Sequence, residues 1–169
     1  MEIFKTKDYA EMPAFQTKGS ACFDIKAEFA VGDRIKTWNA LNKEIMVPAK
    51  NFRGKVGIQI PPLSRALIPT GLIFDVPDNH VLEMFVRSSV ATKKGLNLCN
   101  GVGVIDSDYV EESFIALYNI SDSLVVIESG ERLAQCRLSK VLKTELTEVD
   151  TRPSQKTERN GGFGSTGKS

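Results

Sequence analysis

The sequence of 169 residues holds a single histidine, His80. A zinc site built on several histidines is therefore excluded, and a Ser-His-Asp triad could draw only on His80. That residue follows "VPDN", a turn-like stretch in which a solvated side chain is expected. No G-x-S-x-G nucleophile elbow occurs, nor the H-x-E…P-C-x-x-C signature of zinc deaminases. Cysteine is scarce as well. Cys22, Cys99 and Cys136 are odd in number, far apart and outside any C-x-x-C spacing, which argues against a disulfide framework and against structural zinc. Each is expected to be a small buried hydrophobe. Neither sign of charge dominates: 22 Lys and Arg stand against 21 Asp and Glu, so no strong field draws the chain to nucleic acid or a membrane surface. No apolar run approaches a membrane span, and "MEIFKTKDYAEMP" lacks a signal-peptide core. A cytoplasmic protein with no nucleic-acid and no membrane partner is expected. If it is an enzyme, its general base is expected to be a carboxylate.

What remains is mostly strand pattern. "HVLEMFV" (80–86) is rich in β-branched and aromatic residues and follows a turn. "SFIALYNI" (113–120) and "LVVI" (124–127) flank the polar "SDS", and "LVVI" and "RLAQCRLSKV" (132–141) flank "ESGE". "RALIPTGLIFDVP" (65–77) is apolar but broken by Pro69 and Gly71. Short apolar segments with turns every 8–12 residues predict an all-β sandwich, barrel or jelly roll. "TWNALNKEI" (37–45) is the best short helical candidate. Composition changes near residue 150: "DTRPSQKTERNGGFGSTGKS" has one large apolar residue, Phe163, and cannot bury enough surface to fold by itself. A core over 1–150 and a flexible glycine-rich arm over 151–169 are expected.

Two stretches suggest chemistry. "GGFGSTGKS" (161–169) contains a literal G-x-x-x-x-G-K-S, but no strand precedes it and no helix pattern follows, so a true P-loop is not expected. "NGVGVIDSDYVEE" (100–112) crowds Asp106, Asp108, Glu111 and Glu112 behind the alternating Gly101 and Gly103. Glycines in an apolar strand pattern suggest a bulge or a close approach. Taken alone, the cluster also reads as an acidic hairpin tip facing water.

Five stretches, in order, resemble the five motifs of the trimeric dUTPase family: "GSACFDIKA" (19–27), "VRSSVATKKGL" (86–96), "NGVGVIDSDY" (100–109), "GERLAQ" (130–135) and "RNGGFGSTG" (159–167). The resemblance implies a distorted jelly-roll or β-barrel subunit, a homotrimer with sites shared between subunits, and hydrolysis of dUTP to dUMP and pyrophosphate with Mg2+ on the triphosphate. By the same resemblance Asp106 positions the attacking water and accepts its proton, while Asp108 is structural. Asn100, with the backbone of Gly103 and Val104, reads uracil. Tyr109 packs under the deoxyribose and excludes a 2′-hydroxyl. Arg87, Ser88, Ser89 and Gln135 meet phosphates, and Asp24 serves a metal-bound water or the architecture of the site. In the arm, Arg159 meets the terminal phosphate, Phe163 stacks on uracil, and Gly164, Ser165 and Thr166 supply donors.

The chain departs from the family pattern at four places. Val86 and Ser89 stand where the second motif has proline and glycine, which implies a shifted loop. Glu111 stands where glycine follows the tyrosine, which implies strain if that position needs positive φ. Arg159 is four rather than five residues before Phe163. Residues 30–60 look longer than the family needs, and a surface insertion there could dock a regulatory protein. Two alternatives stay open at this point: a dCTP deaminase-type enzyme of the same fold, which the Arg87-Ser88-Ser89 run favours, and a non-catalytic nucleotide sensor.

Overall fold

The alternating apolar positions of 80–86 become one strand, His80–Val86, with Leu82 and Met84 buried. It runs antiparallel to Arg132–Lys140 on one side and to Gly103–Ile105 on the other. Phe23–Lys26 and Ala14–Phe15 extend the far edge into a five-stranded sheet. A second five-stranded sheet runs Leu96–Leu98, Phe114–Asn119, Arg65–Pro69, Arg34–Trp38, Glu44–Pro48. Two smaller sheets complete the fold, Val125–Glu128 with Lys55–Ile60 and Lys50–Phe52, and Glu2–Lys5 with Leu72–Asp75. All pairings are antiparallel, so each sheet can bury one face. Ile25, Ile58, Ile68, Leu82, Leu117 and Leu133, from three of these four sheets, share one core without solvent exposure. This computed structural model describes residues 1–158. The fold is all-β and jelly-roll-like. Among the described residues no helix is long and apolar enough to cross a membrane.

Several sequence expectations are corrected. Residues 37–45 are not helical: Arg34–Trp38 and Glu44–Pro48 form a hairpin, with Thr37 opposite Ile45. Asn39 Oδ1 accepts the N–H groups of Leu41 and Lys43 at 3.0 and 2.9 Å, and Asn42 takes φ 62°. That side-chain turn outcompetes a helical one, and the alternation of buried Ile35 and Thr37 favours a strand. The single helix among the described residues, Ser88–Lys94, gave no periodic signal because Val90 is its one buried residue. Residues 30–60 are woven into the sheets rather than laid on the surface: Ile35, Ala49, Ile58 and Ile60 are all core residues. Cysteine burial holds only for Cys136; Cys22 is half-buried and Cys99 exposed. His80 opens its strand, half-buried, with Nδ1 2.9 Å from the Asp78 carbonyl. Finally, the last strand ends at Lys140, so the exposed segment starts about ten residues before the expected boundary at 150. Leu142 and Leu146, each 94% exposed, lie in that segment.

Candidate active site

Strand register assembles one polar group of residues. Gln135 lies directly opposite Asp24 on one side and opposite Phe85 on the other. The Phe85 strand ends one residue later, at Val86, and delivers Arg87, Ser88 and Ser89 beside that pair. Arg87 has extended backbone, φ −71° and ψ 141°, and Ser89 lies in the first turn of the helix that follows. A helical serine needs no left-handed backbone, so replacing the family's glycine here costs no strain. Arg87, Ser88, Ser89, Gln135, Asp24 and Cys22 line a polar cavity of about 280 Å3.

Asp24 organises this cavity. It is 8% exposed, and a carboxylate so buried requires charged partners. It has two: Arg87 Nε lies 3.2 Å from Oδ1 and Arg132 Nη1 lies 3.1 Å from Oδ2. The guanidiniums are fixed further, since Arg87 Nη1 donates to the Arg132 carbonyl at 3.1 Å and Arg132 Nη1 donates to Gln16 Oε1 at 2.6 Å. Both arginines keep part of their surface in water. The cavity thus offers the planar cationic fork of Arg87, hydroxyls and an amide, a donor set suited to phosphate oxygens.

A second cavity, about 270 Å3, lies along Gly103–Ile105. Asn100, Gly103, Val104, Tyr109 and Phe114 line it, with Leu67 and Met84 among its apolar walls. Here the chain crosses from the second sheet, at Leu98, to the first, at Gly103. Gly103 is required by close approach: a Cβ there would sit 3.0 Å from Met84 Cβ. Gly103–Ile105 is the outer strand of its sheet, so it presents unpaired backbone donors and acceptors. The Asn100 amide is exposed and makes no hydrogen bond among the described residues. Asp106, exposed, follows this strand, and its carbonyl accepts the Tyr109 N–H at 3.2 Å. The Tyr109 hydroxyl donates to the Glu112 carbonyl at 3.0 Å, and the residue is 41% exposed. Glu111 is not among the described residues with positive φ, so the turn is built without the strain anticipated for that departure. A planar base fits this mix of backbone edge, amide and apolar wall, and a sugar fits the phenol.

The two cavities share no lining residue. Each is also below the roughly 300–1,000 Å3 of pockets that bury a drug-sized ligand. Asn100, Gly103, Val104 and Tyr109 therefore come together in one, and Arg87, Ser88, Ser89, Gln135 and Asp24 in the other. Arg159, Phe163, Gly164, Ser165 and Thr166 lie outside the described residues. Gln16, from the short second strand's end, is a polar contributor that sequence reasoning missed, since only the fold carries it to Arg132. Among the described residues no group of three or more His, Cys, Asp or Glu side chains is placed to hold a metal.

The family model for dUTPase matches residues 53–167. The deoxyuridine 5'-triphosphate nucleotidohydrolase of Hydrogenobaculum sp. is 41% identical over 166 residues, spanning 98% of this chain and 96% of that protein. The enzyme of that name from Rhizobium etli (strain CIAT 652) is 34% identical over 157 residues, 93% of this chain and 85% of its own. Among solved structures, the dUTPase from Streptococcus mutans is similar with a TM-score of 0.66 at 27% identity, covering 86% of this chain and 99% of that one. A mutant dUTPase of Staphylococcus bacteriophage 80alpha with dUpNHpp shares the fold, with a TM-score of 0.72 at 22% identity over 98% of this chain and 97% of its own.

Proposed function

The chain belongs to the dUTPase family, and on that premise we propose that its two cavities are the two halves of one dUTP site, completed between copies of the chain. The protein hydrolyses dUTP to dUMP and pyrophosphate. The nucleoside half holds uracil against Asn100 and the backbone of Gly103 and Val104, with Tyr109 beneath the deoxyribose. The phosphate half holds the triphosphate on Arg87, Ser88, Ser89 and Gln135. The observation that carries this reading is the split itself. Complementary donor sets lie in cavities with no residue in common, and a symmetric oligomer joins such halves. We assign a homotrimer, with the arm residues Arg159, Phe163, Gly164, Ser165 and Thr166 closing over the ligand, and the cytoplasm as its compartment. The 39–43 turn of the 30–60 region remains the part open to a regulatory protein.

In the reaction, Asp106 takes a proton from water as the water oxygen bonds to the α-phosphorus. The bond from that phosphorus to the α–β bridging oxygen breaks, and its electron pair leaves with pyrophosphate. Ser88 donates toward the bridging oxygen, where charge develops, and Arg87 and Gln135 meet the non-bridging oxygens. A divalent cation fits the triphosphate better than a protein cage, because both Asp24 oxygens are engaged by arginines. Mg2+ would be held by phosphate oxygens and waters, with Asp24 reaching it only through water, and would neutralise phosphate charge.

Pyrophosphate release with dUTP, dCTP, dTTP and UTP side by side tests the activity. Turnover is expected to be far faster with dUTP than with dCTP, dTTP or UTP. Ammonia released from dCTP would move the chain to the deaminases, and binding of dUTP without turnover would make it a sensor.

A further inference from the structure

The corner Thr70–Gly71–Leu72 lies outside both donor sets, yet it is bonded to the two residues that close the tyrosine turn. Gly71 N–H donates to Glu112 Oε1 at 2.8 Å. Thr70 Oγ1 donates to the Ser113 carbonyl at 2.6 Å, and Ser113 N–H donates to the Leu72 carbonyl at 2.9 Å. Thr6 Oγ1 reaches Glu112 Oε2 at 3.5 Å, and Thr6 N–H donates to the Gly71 carbonyl at 2.9 Å, which ties the corner to the first strand. Glycine is required at the corner: Gly71 has φ 67°, and a Cβ there would lie 2.6 Å from Ala10 Cβ. From its other end, Glu112 offers its carbonyl to the Tyr109 hydroxyl. A single residue thus links the core corner, through its carboxylate, to the ring, through its backbone.

We propose that Glu112 is a positioning residue for sugar selection: held by the Gly71 N–H, it fixes the carbonyl that orients the Tyr109 ring. This rests on the reading of Tyr109 as the sugar platform. A ring that can tilt excludes a 2′-hydroxyl less well, so releasing Glu112 relaxes the preference for deoxyribose. The ratio of kcat/KM for dUTP to that for UTP reads this directly. Misfolding lowers both values together and leaves the ratio unchanged, so a merely structural role would not move it.

Glu112→Ala is expected to lower the ratio about three- to tenfold, the worth of one hydrogen bond. Glu112→Gln keeps an acceptor oxygen for Gly71 and is expected to hold the ratio within about twofold of wild type. Tyr109→Phe cuts the same link at its exposed end without threatening the fold, and should lower the ratio as well. Acting through one link, Glu112→Ala and Tyr109→Phe combined should be no worse than the more severe single change. An unchanged ratio in Glu112→Ala, equal losses in the Ala and Gln variants, or additive losses in the double variant would each overturn the proposal. A wild-type enzyme indifferent between dUTP and UTP would overturn the sugar-platform reading too, and that outcome is visible before any variant is made.

Discussion

Mixing two inactive variants tests whether the site is divided between chains. Asp106→Asn disables the nucleoside half, and Ser88→Ala disables the phosphate half. Both residues are exposed, so neither change opens a cavity in the core. Loss of a general base costs about 10²–10⁴ in rate, and loss of one donor at developing charge about 10²–10³. Each variant alone should therefore retain roughly 1% of wild-type turnover or less. Suppose equal amounts are co-refolded into mixed oligomers, with each site drawing its halves from different chains. The nucleoside half is then intact in one half of the sites and the phosphate half, independently, in one half. About one quarter of the sites carry both, so about one quarter of wild-type pyrophosphate release should return. A site built within one chain would recover nothing, because every chain carries a lesion. The quarter is the same for a dimer or a trimer, so sedimentation must supply the number of chains. A mixture no more active than the sum of its parts, from oligomers proven to have exchanged, would refute the divided site.

Residues 151–158 are exposed and outside any strand, so truncation after Asp150 is expected to move Tm by no more than a few degrees in a thermal melt. The same truncation should lower kcat/KM for dUTP at least tenfold, roughly what loss of one base-stacking ring costs, since Phe163 goes with the arm. Wild-type kcat/KM in the truncated protein would make the arm idle. Glu28 supplies a pH test. It is 4% exposed, with the Glu11 N–H at 3.4 Å as its neighbour, and burial pushes its carboxyl above the ordinary value. A raised carboxyl contributes stability that is fully present below the ordinary carboxylate range and is lost as pH rises through its folded value. Glu28→Gln, a mimic of the protonated form, should melt higher than wild type at neutral pH, and the gap should close in acid. A gap that widens in acid would reverse the sign of the argument.

Strand content was legible because it follows from local alternation, as in 80–86, where Leu82 and Met84 face inward. The site motifs were legible as short words for a related reason: each lies on one continuous stretch. Their spatial grouping was not. That Gln135 lies opposite Asp24 depends on pairing 111 residues apart in sequence, and no local signal encodes it. The hairpin at 34–48 was misjudged because Ala40, Leu41 and Lys43 are good helix formers, whereas Asn39 decides the turn by bonds invisible to propensity. The corner at Thr70 and Gly71 looked like a break in an apolar run. Its bonds to Glu112 and Ser113 span more than forty residues.

The placement of Asp24 between two arginines has a kinetic consequence. A lone surface arginine samples many rotamers, and a ligand must wait for, or enforce, the productive one. Arg87 and Arg132 have that search completed in advance, because their forks are fixed by the carboxylate, a carbonyl and an amide. In the phosphate half proposed above, capture by Arg87 should then be governed by encounter frequency rather than by side-chain rearrangement. The same fixed carboxylate cancels one of the two positive charges, leaving a net single charge to attract a highly anionic ligand. Arrival is thus made quick without making departure slow, a balance that suits an enzyme whose product also carries phosphates.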